Sequence, residues 1–260
     1  MDVEKIKNNP TMIFSIILWY AENEFDVDSS IKKIIIENSD LIKIANQKEL
    51  YEIFRKIMVT NNPAKYIREF KEVFFKFIPE LEKTYGFNQN NPWHVYDIFE
   101  HTMHVVENTD VNEELRIAAL FHDIGKPVVY FEETKTKEDG STLQVGHFYG
   151  HAKVSANIFD EFSERVEIPT EKHDLIKKLI IYHDYELSNK PKKIQAYIDE
   201  LGVKNIPLLF ALKRADNLSQ NLKMSGPILE KLDKTEEIYD EYINCLDSGD
   251  NSIGKQKSKK

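Results

Sequence analysis

Phe121-His122-Asp123-Ile124-Gly125-Lys126-Pro127 follows directly on Ile117, Ala118, Ala119 and Leu120. The apolar run reads as a buried helix, and it ends in two strong metal ligands side by side. Unpaired polar groups in such a place cost a few kcal/mol, on the order of 2–7. Coordination of a cation would satisfy both. Further ligands lie on either side of this point: His101 upstream, then His151, His183 and Asp216 downstream. Each follows or sits within a helix-like apolar pattern.

The 260 residues suffice for one large or two small domains, and 41% of them are hydrophobic, so a real core is expected. Nine Gly, nine Pro and little β-branched alternation favour an all-α protein. The single cysteine, Cys245, excludes an internal disulfide framework and fits a reducing compartment. A net charge of −9 argues against a broad basic surface for nucleic acid, and DNA is not an expected partner. The apolar stretch from Met12 to Ala21 is followed by Glu22-Asn23-Glu24 rather than a small-residue cleavage site. It is also well short of the ~20 residues of a membrane-spanning helix. A buried helix in a cytoplasmic protein is the expectation, with no membrane partner.

Helical spacing dominates the chain. Asp28 and Ser29 read as a cap before Ile31 to Glu37; Leu50, Ile53, Phe54 and Ile57 share one helical face; Asn62-Pro63 starts another helix. Tyr85 to Pro92 is turn-rich and reads as the join between two halves. Helical pattern then resumes from Val95 to Val106, and Asn112 caps a helix from Glu113 to His122. Glu132 to Gly146 is polar without an apolar period and reads as a mobile loop. Further helices are expected over about 150–162, 170–183, 190–201, 207–219 and 227–245. The basic run Lys255 to Lys260 reads as a disordered tail.

The ligand mix is imidazole and carboxylate without thiolate, which suits Mn, Mg, Fe, Co, Ni or Zn better than a structural cysteine–zinc site. Ligands on separate helices converge in the interior of a bundle. His94, His147 and His173 are not expected as direct ligands.

The order H…HD…H…H…D resembles the HD superfamily of metal-dependent phosphohydrolases. The strings from Asn90 to Thr102, Ala118 to Pro127, His147 to His151 and Arg214 to Leu218 are similar to the HD domain of bacterial CCA-adding tRNA nucleotidyltransferases. Residues 12–90 resemble the helical neck of those enzymes, notably at Ile36-Glu37-Asn38-Ser39 and Tyr85-Gly86-Phe87. The polymerase head of that family carries a Gly-Ser dipeptide followed by paired aspartates, and no such pattern occurs here. The corresponding neck stretch, Asn8 to Ile13, lacks the family's acid and Arg. Synthesis of tRNA ends is therefore not expected.

The resemblance implies an HD-type helical bundle at 91–247, preceded by a helical neck-like region at 1–90 and followed by the tail at 248–260. It implies hydrolysis of a nucleotide or RNA-end phosphate ester, as phosphatase or phosphodiesterase, with one or two divalent ions. His101, His122, Asp123 and Asp216 are the expected ligands of a main metal, and His151 and His183 of a second, with Asp123 as a candidate bridge. Lys126 and Arg214 are the candidate phosphate contacts, with an acid in the bundle as the alternative partner of Arg214, and Lys126 is also a candidate stabiliser of the reacting phosphoryl group. The alternative reading is a non-catalytic module that binds RNA or a protein partner.

Overall fold

A computed structural model describes residues 3–248. Among them are fifteen α-helices and one two-stranded sheet, in agreement with an all-α chain. The N-terminal helices are α1 (Val3–Asn8), α2 (Met12–Asn23), α3 (Ser29–Glu37), α4 (Gln47–Met58), α5 (Pro63–Glu69), α6 (Lys71–Phe77) and α7 (Pro79–Glu82), with a 3-10 turn at Ser39–Ile44. There follow α8 (Ile98–Glu107), α9 (Glu113–Phe121), α10 (Lys126–Val129), β1 (Phe131–Thr136), β2 (Thr142–His147), α11 (His151–Val166) and α12 (Thr170–Tyr182). The last helices are α13 (Pro191–Leu201), α14 (Ile206–Leu218) and α15 (Leu222–Ser248).

Side-chain caps set many of the helix starts. Asp28, Asn46, Asn62, Asp97 and Asn112 each accept a hydrogen bond from a backbone N–H in the first turn that follows. Asp97 does a second task, because its other oxygen accepts from Gly86 N–H and ties the preceding loop to α8. The helix α9 is the axis of the molecule: every residue from Leu115 to Phe121 is buried. Arg116 is tolerated there because its guanidinium donates to the carbonyls of Met58 and Thr60, at and just beyond the end of α4.

The hydrophobic core runs without a break from Ile6 to Tyr239, across the turn-rich join near residue 90. Phe162 of α11 is its hinge point. Its ring lies 5.3–6.4 Å from those of Phe77, Tyr51 and Phe54 on the N-terminal side, and 5.0 Å from Phe121. Phe121 is the last residue of α9, immediately before His122. The charged network Arg55–Glu113–Lys172 adds a polar clasp among α4, α9 and α12. Burial pushes the Glu113 carboxyl up, but Arg55 and Lys172 outweigh it and hold it low.

Two expectations need correction. Residues 132–146 are not a mobile loop but the greater part of an antiparallel hairpin, with Phe131 opposite His147 and Thr136 opposite Thr142. Only Val145 and Gly146 within it are buried, so solvent wets both faces and no apolar alternation is needed. Asp139-Gly140 supplies the turn, with the Asp139 carboxylate accepting from Ser141 N–H. Gly146 anchors the hairpin to the body: its N–H donates to Asn90 O, and a Cβ there would lie 2.2 Å from Gln89 O. The final helix begins at Leu222, five residues before the expected start, and carries Pro227 inside it. Pro227 stands at the sixth position of the helix, so it removes one intrahelical hydrogen-bond donor and the helix forms at the cost of that bond. The expected tail falls almost wholly outside the described residues.

Removal of the Phe162 ring should destabilise the whole molecule at once. Phe162→Ala is expected to cost about 3–5 kcal/mol by loss of transfer energy and cavity formation. Urea unfolding followed by circular dichroism and by tryptophan fluorescence should give one coincident, shifted transition. Two separated transitions would show that the halves unfold independently.

Candidate metal centre

Helix ends bring the candidate ligands together. His101 lies one turn into α8, His122 and Asp123 follow α9, His151 opens α11, His183 follows α12, and Asp216 is in the last turn of α14. All but Asp216 are at most 7% exposed, and the Asp216 side chain is 14% exposed.

One hydrogen-bond arrangement recurs. The Nδ1–H of His122 donates to Ala119 O at 2.7 Å, that of His183 to Ile180 O at 2.6 Å, and that of His151 to Phe148 O at 3.0 Å. Each acceptor lies three residues back. His101 Nδ1 is 3.3 Å from Ser219 O, across the bundle. A carbonyl can only accept, so Nδ1 carries the proton and Nε2 is free to ligate. For His122 and His183 the acceptors are last-turn carbonyls that have no partner further along their helices.

The four Nε2 atoms converge on the two carboxylates. Asp123 Oδ2 is 3.3 Å from His101 Nε2 and 3.2 Å from His122 Nε2. Asp123 Oδ1 is 3.2 Å from His151 Nε2 and 3.7 Å from His183 Nε2. Asp216 Oδ1 stands 3.1 Å from His101 Nε2. The two oxygens of Asp123 thus face two different imidazole pairs. Within each pair the Nε2 atoms are 3.3 Å apart (His101 and His122) and 3.1 Å apart (His151 and His183).

This donor set fits a divalent cation. Two imidazole lone pairs at such a separation repel unless a positive charge stands between them. Asp123 Oδ2 is buried with no donor aligned for a hydrogen bond, although the Lys126 ammonium is 2.6 Å away. Two sets of three ligand atoms lie within 4.8 Å of one another: His101, His122 and Asp216, and His122, Asp123 and His183. Without a cation, protons must supply the countercharge. Burial pulls the His101 imidazole down, yet Asp123 and Asp216 outweigh it and lift its pKa to about 9. His151 is raised by Asp123 against the same burial, whereas burial wins at His183 and lowers it. Burial also pushes both aspartates up, but His122 and Lys126 at Asp123, and His101 at Asp216, hold them below the usual carboxylate range.

Lys126 is 4% exposed and lies between Asp123 and Gln89, donating to Gln89 Oε1 at 2.9 Å. It borders a cleft of about 260 Å³ that also reaches Asp123, His151, His183 and Asp216. Arg214 is not part of this cleft. Its guanidinium turns to Asp233 and Glu236 of α15, so the candidate phosphate contact is instead an ion pair within the bundle. His94 and His147 line the cleft wall without joining either ligand group, and His173 pairs with Asp160 elsewhere.

Three supporting residues were not evident from the sequence. Gln89, 1% exposed, holds Lys126. Lys213 donates to the carbonyls of His183 and Tyr185 and so fixes the chain beyond α12; burial lowers its pKa to about 8. Its spacing of three from Asp216, on one helix face, is the signal that could have drawn attention to it. Gly125 N–H donates to Ser155 Oγ, and a Cβ at Gly125 would lie 2.6 Å from Ser155 N and 2.7 Å from His151 O.

Residues 94–221 match the family model of the HD domain, a span that contains all six candidate ligands. The chain therefore carries an HD domain, a type that is typically a metal-dependent hydrolase. Its curated relatives include a multifunctional CCA protein of Azoarcus sp., 26% identical over 152 residues, or 56% of this chain and 34% of the relative. An A-adding tRNA nucleotidyltransferase of Deinococcus radiodurans is 29% identical over 97 residues, 35% of this chain and 20% of the relative. A bifunctional uridylyltransferase/uridylyl-removing enzyme of Ruegeria pomeroyi is 30% identical over 121 residues, 36% of this chain and 13% of the relative. The chain spans about a third of the length of the multifunctional CCA proteins it matches. Among the described residues no helix is long and apolar enough to cross a membrane.

The close backbone crossing at Gly125 sets the distance between Asp123 and His151. Gly125→Ala should push α11 outward and weaken divalent-ion retention, by roughly tenfold if about 1.4 kcal/mol of ligand alignment is lost. Competition with a fluorescent chelator measures this. Wild-type affinity in a folded Gly125→Ala protein would refute the spacing argument.

Proposed function

We propose that this protein is a metal-dependent phosphohydrolase, a phosphatase or phosphodiesterase, that acts on a nucleotide or RNA-end phosphate ester. One observation carries the reading: four imidazoles, each with Nδ1 committed to a carbonyl, aim Nε2 at the buried Asp123 and the partly exposed Asp216 beside an open cleft. His101, His122, Asp123 and Asp216 would hold one ion. His151 and His183, with the other oxygen of Asp123, would hold a second. A divalent ion supplies Lewis acidity, which makes water a nucleophile near neutral pH and draws charge from a phosphoryl oxygen.

The residues divide the remaining work. Asp123 orients both halves of the site through its two oxygens. The Lys126 ammonium donates to Gln89 and stands beside Asp123 as an ion pair. It borders the cleft, where it would stabilise the growing negative charge of a phosphoryl oxygen. Burial of Asp123 and the imidazoles keeps bulk water from screening these charges, which strengthens each interaction. The HD match and the nucleotidyltransferase relatives support a nucleotide or RNA end as the substrate class.

Metal content and turnover together test this function. Elemental analysis of the purified protein should find Mn, Mg, Fe, Co, Ni or Zn, and a screen for phosphate release from monoesters and for cleavage of diesters, with added ions, should find activity. His122→Ala should lose both the ion and hydrolysis. His151→Ala and His183→Ala should each retain about one ion and lose on the order of a hundredfold or more in rate, as expected when a second ion no longer clamps an oxygen of the reacting phosphate. Full metal content with near-native turnover in either variant would rule out the two-ion arrangement. Absence of both phosphate release from monoesters and cleavage of diesters by the ion-loaded protein would rule out the hydrolase.

A further inference from the structure

Tyr149 occupies an exposed position at the lip of the cleft that holds Asp123, His151 and His183. It is 73% exposed, unusual for so large a ring beside a buried site. Two further rings back it. His147 lies 5.3 Å from Tyr149 at an interplanar angle of 23°, and Phe131 lies 5.2 Å from His147 at 25°. Phe131 and Tyr149 are 5.8 Å apart. Phe131 and His147 are directly opposed across the hairpin, so the pair stabilises the strands. Tyr149 lies beyond the last paired residue, and strand pairing does not explain it.

The cluster is held firmly. His147 Nε2 lies 3.1 Å from Glu133 Oε2, which fixes the imidazole plane. Gly146 locks the end of the hairpin against Asn90. Only Gly150 separates Tyr149 from His151, so their Cα atoms are at most about 7.6 Å apart, two trans-peptide steps. A cluster of rings, with Tyr149 tilted 48° from Phe131, is thereby presented close to the place where a phosphoryl group would sit.

We infer that the Tyr149–His147–Phe131 cluster is a stacking platform for the nucleobase of a substrate whose phosphate is bound in the adjoining cleft. The inference rests on the phosphohydrolase reading and adds to it a base subsite. Every nucleobase has a π-face, so stacking here would favour nucleotides over base-free phosphate esters without strong preference among bases. Specificity for a sequence would need edge contacts, and none of the three rings offers a hydrogen-bonding array for one.

The test compares three non-reacting probes on the Mn-loaded protein by calorimetry. They are an AMP analogue with a P–C bond in place of its ester linkage, the same phosphonate on ribose without a base, and adenosine. The base-bearing phosphonate should bind about tenfold more tightly than the base-free one. Tyr149→Ala should bring the two level and leave the base-free probe unchanged, whereas Tyr149→Phe should keep the preference. A preference that survives Tyr149→Ala, or no preference in the wild-type protein, would overturn the platform. Failure of the base-free phosphonate to bind would instead count against the phosphate site. In that case adenosine decides: binding that depends on Tyr149 sustains the platform, and its absence removes it.

Discussion

Everything in the site depends on the hydrogen bond from imidazole Nδ1–H to a backbone carbonyl. That bond fixes both the tautomer and the ring plane, and so decides where Nε2 points. Three of the four acceptors lie three residues before their histidine, at turns where a helix ends or begins. Helix termini leave carbonyls unsatisfied, and a histidine just beyond the end can take one up at little cost. The ligands are therefore oriented by the ends of helices, and the helices are oriented by the core. The same geometry forces nitrogen lone pairs and carboxylate oxygens into close approach, an arrangement that a cation relieves and that protons relieve only in part.

The N-terminal helices belong to this orientation. Phe162 packs against rings from α4 and α6 on one side and against Phe121 on the other. Phe121 precedes His122, so the aromatic core is one residue away from the ligands. Arg116 and the Arg55–Glu113–Lys172 clasp add polar links across the same boundary. A substitution in residues 47–77 can thus reach the site through packing alone.

Much of this was legible in the sequence because each feature had a local cause. The caps Asp28, Asn62 and Asn112 announce their helices, and the apolar face of Leu50, Ile53, Phe54 and Ile57 announces α4. His122-Asp123 is conspicuous because an apolar run ends in it. The features that were missed have causes distant in sequence. Arg214 stayed open between a phosphate contact and a bundle ion pair because Asp233 and Glu236, which hold it, come from the next helix. Gln89 sits in a loop whose composition suggested only a connection, and its partner Lys126 is 37 residues away. Lys213 binds backbone carbonyls, which carry no residue identity to read. The hairpin escaped notice because the alternation that marks a strand reflects one buried face, and here nearly all of both faces is wet.

A two-stranded ribbon is all edge, and open edges invite a strand from another molecule. In this hairpin the two edges are guarded differently. The outer side of β2 is blocked where Gly146 exchanges hydrogen bonds with the Asn90-Asn91 segment. Among the described residues no backbone hydrogen bond covers the outer side of β1, which instead bears Glu132, Glu133 and Lys135, whose charges would be stripped of water by an added strand. The hairpin can therefore stand out from the body and frame the cleft without making the protein prone to assemble edge to edge.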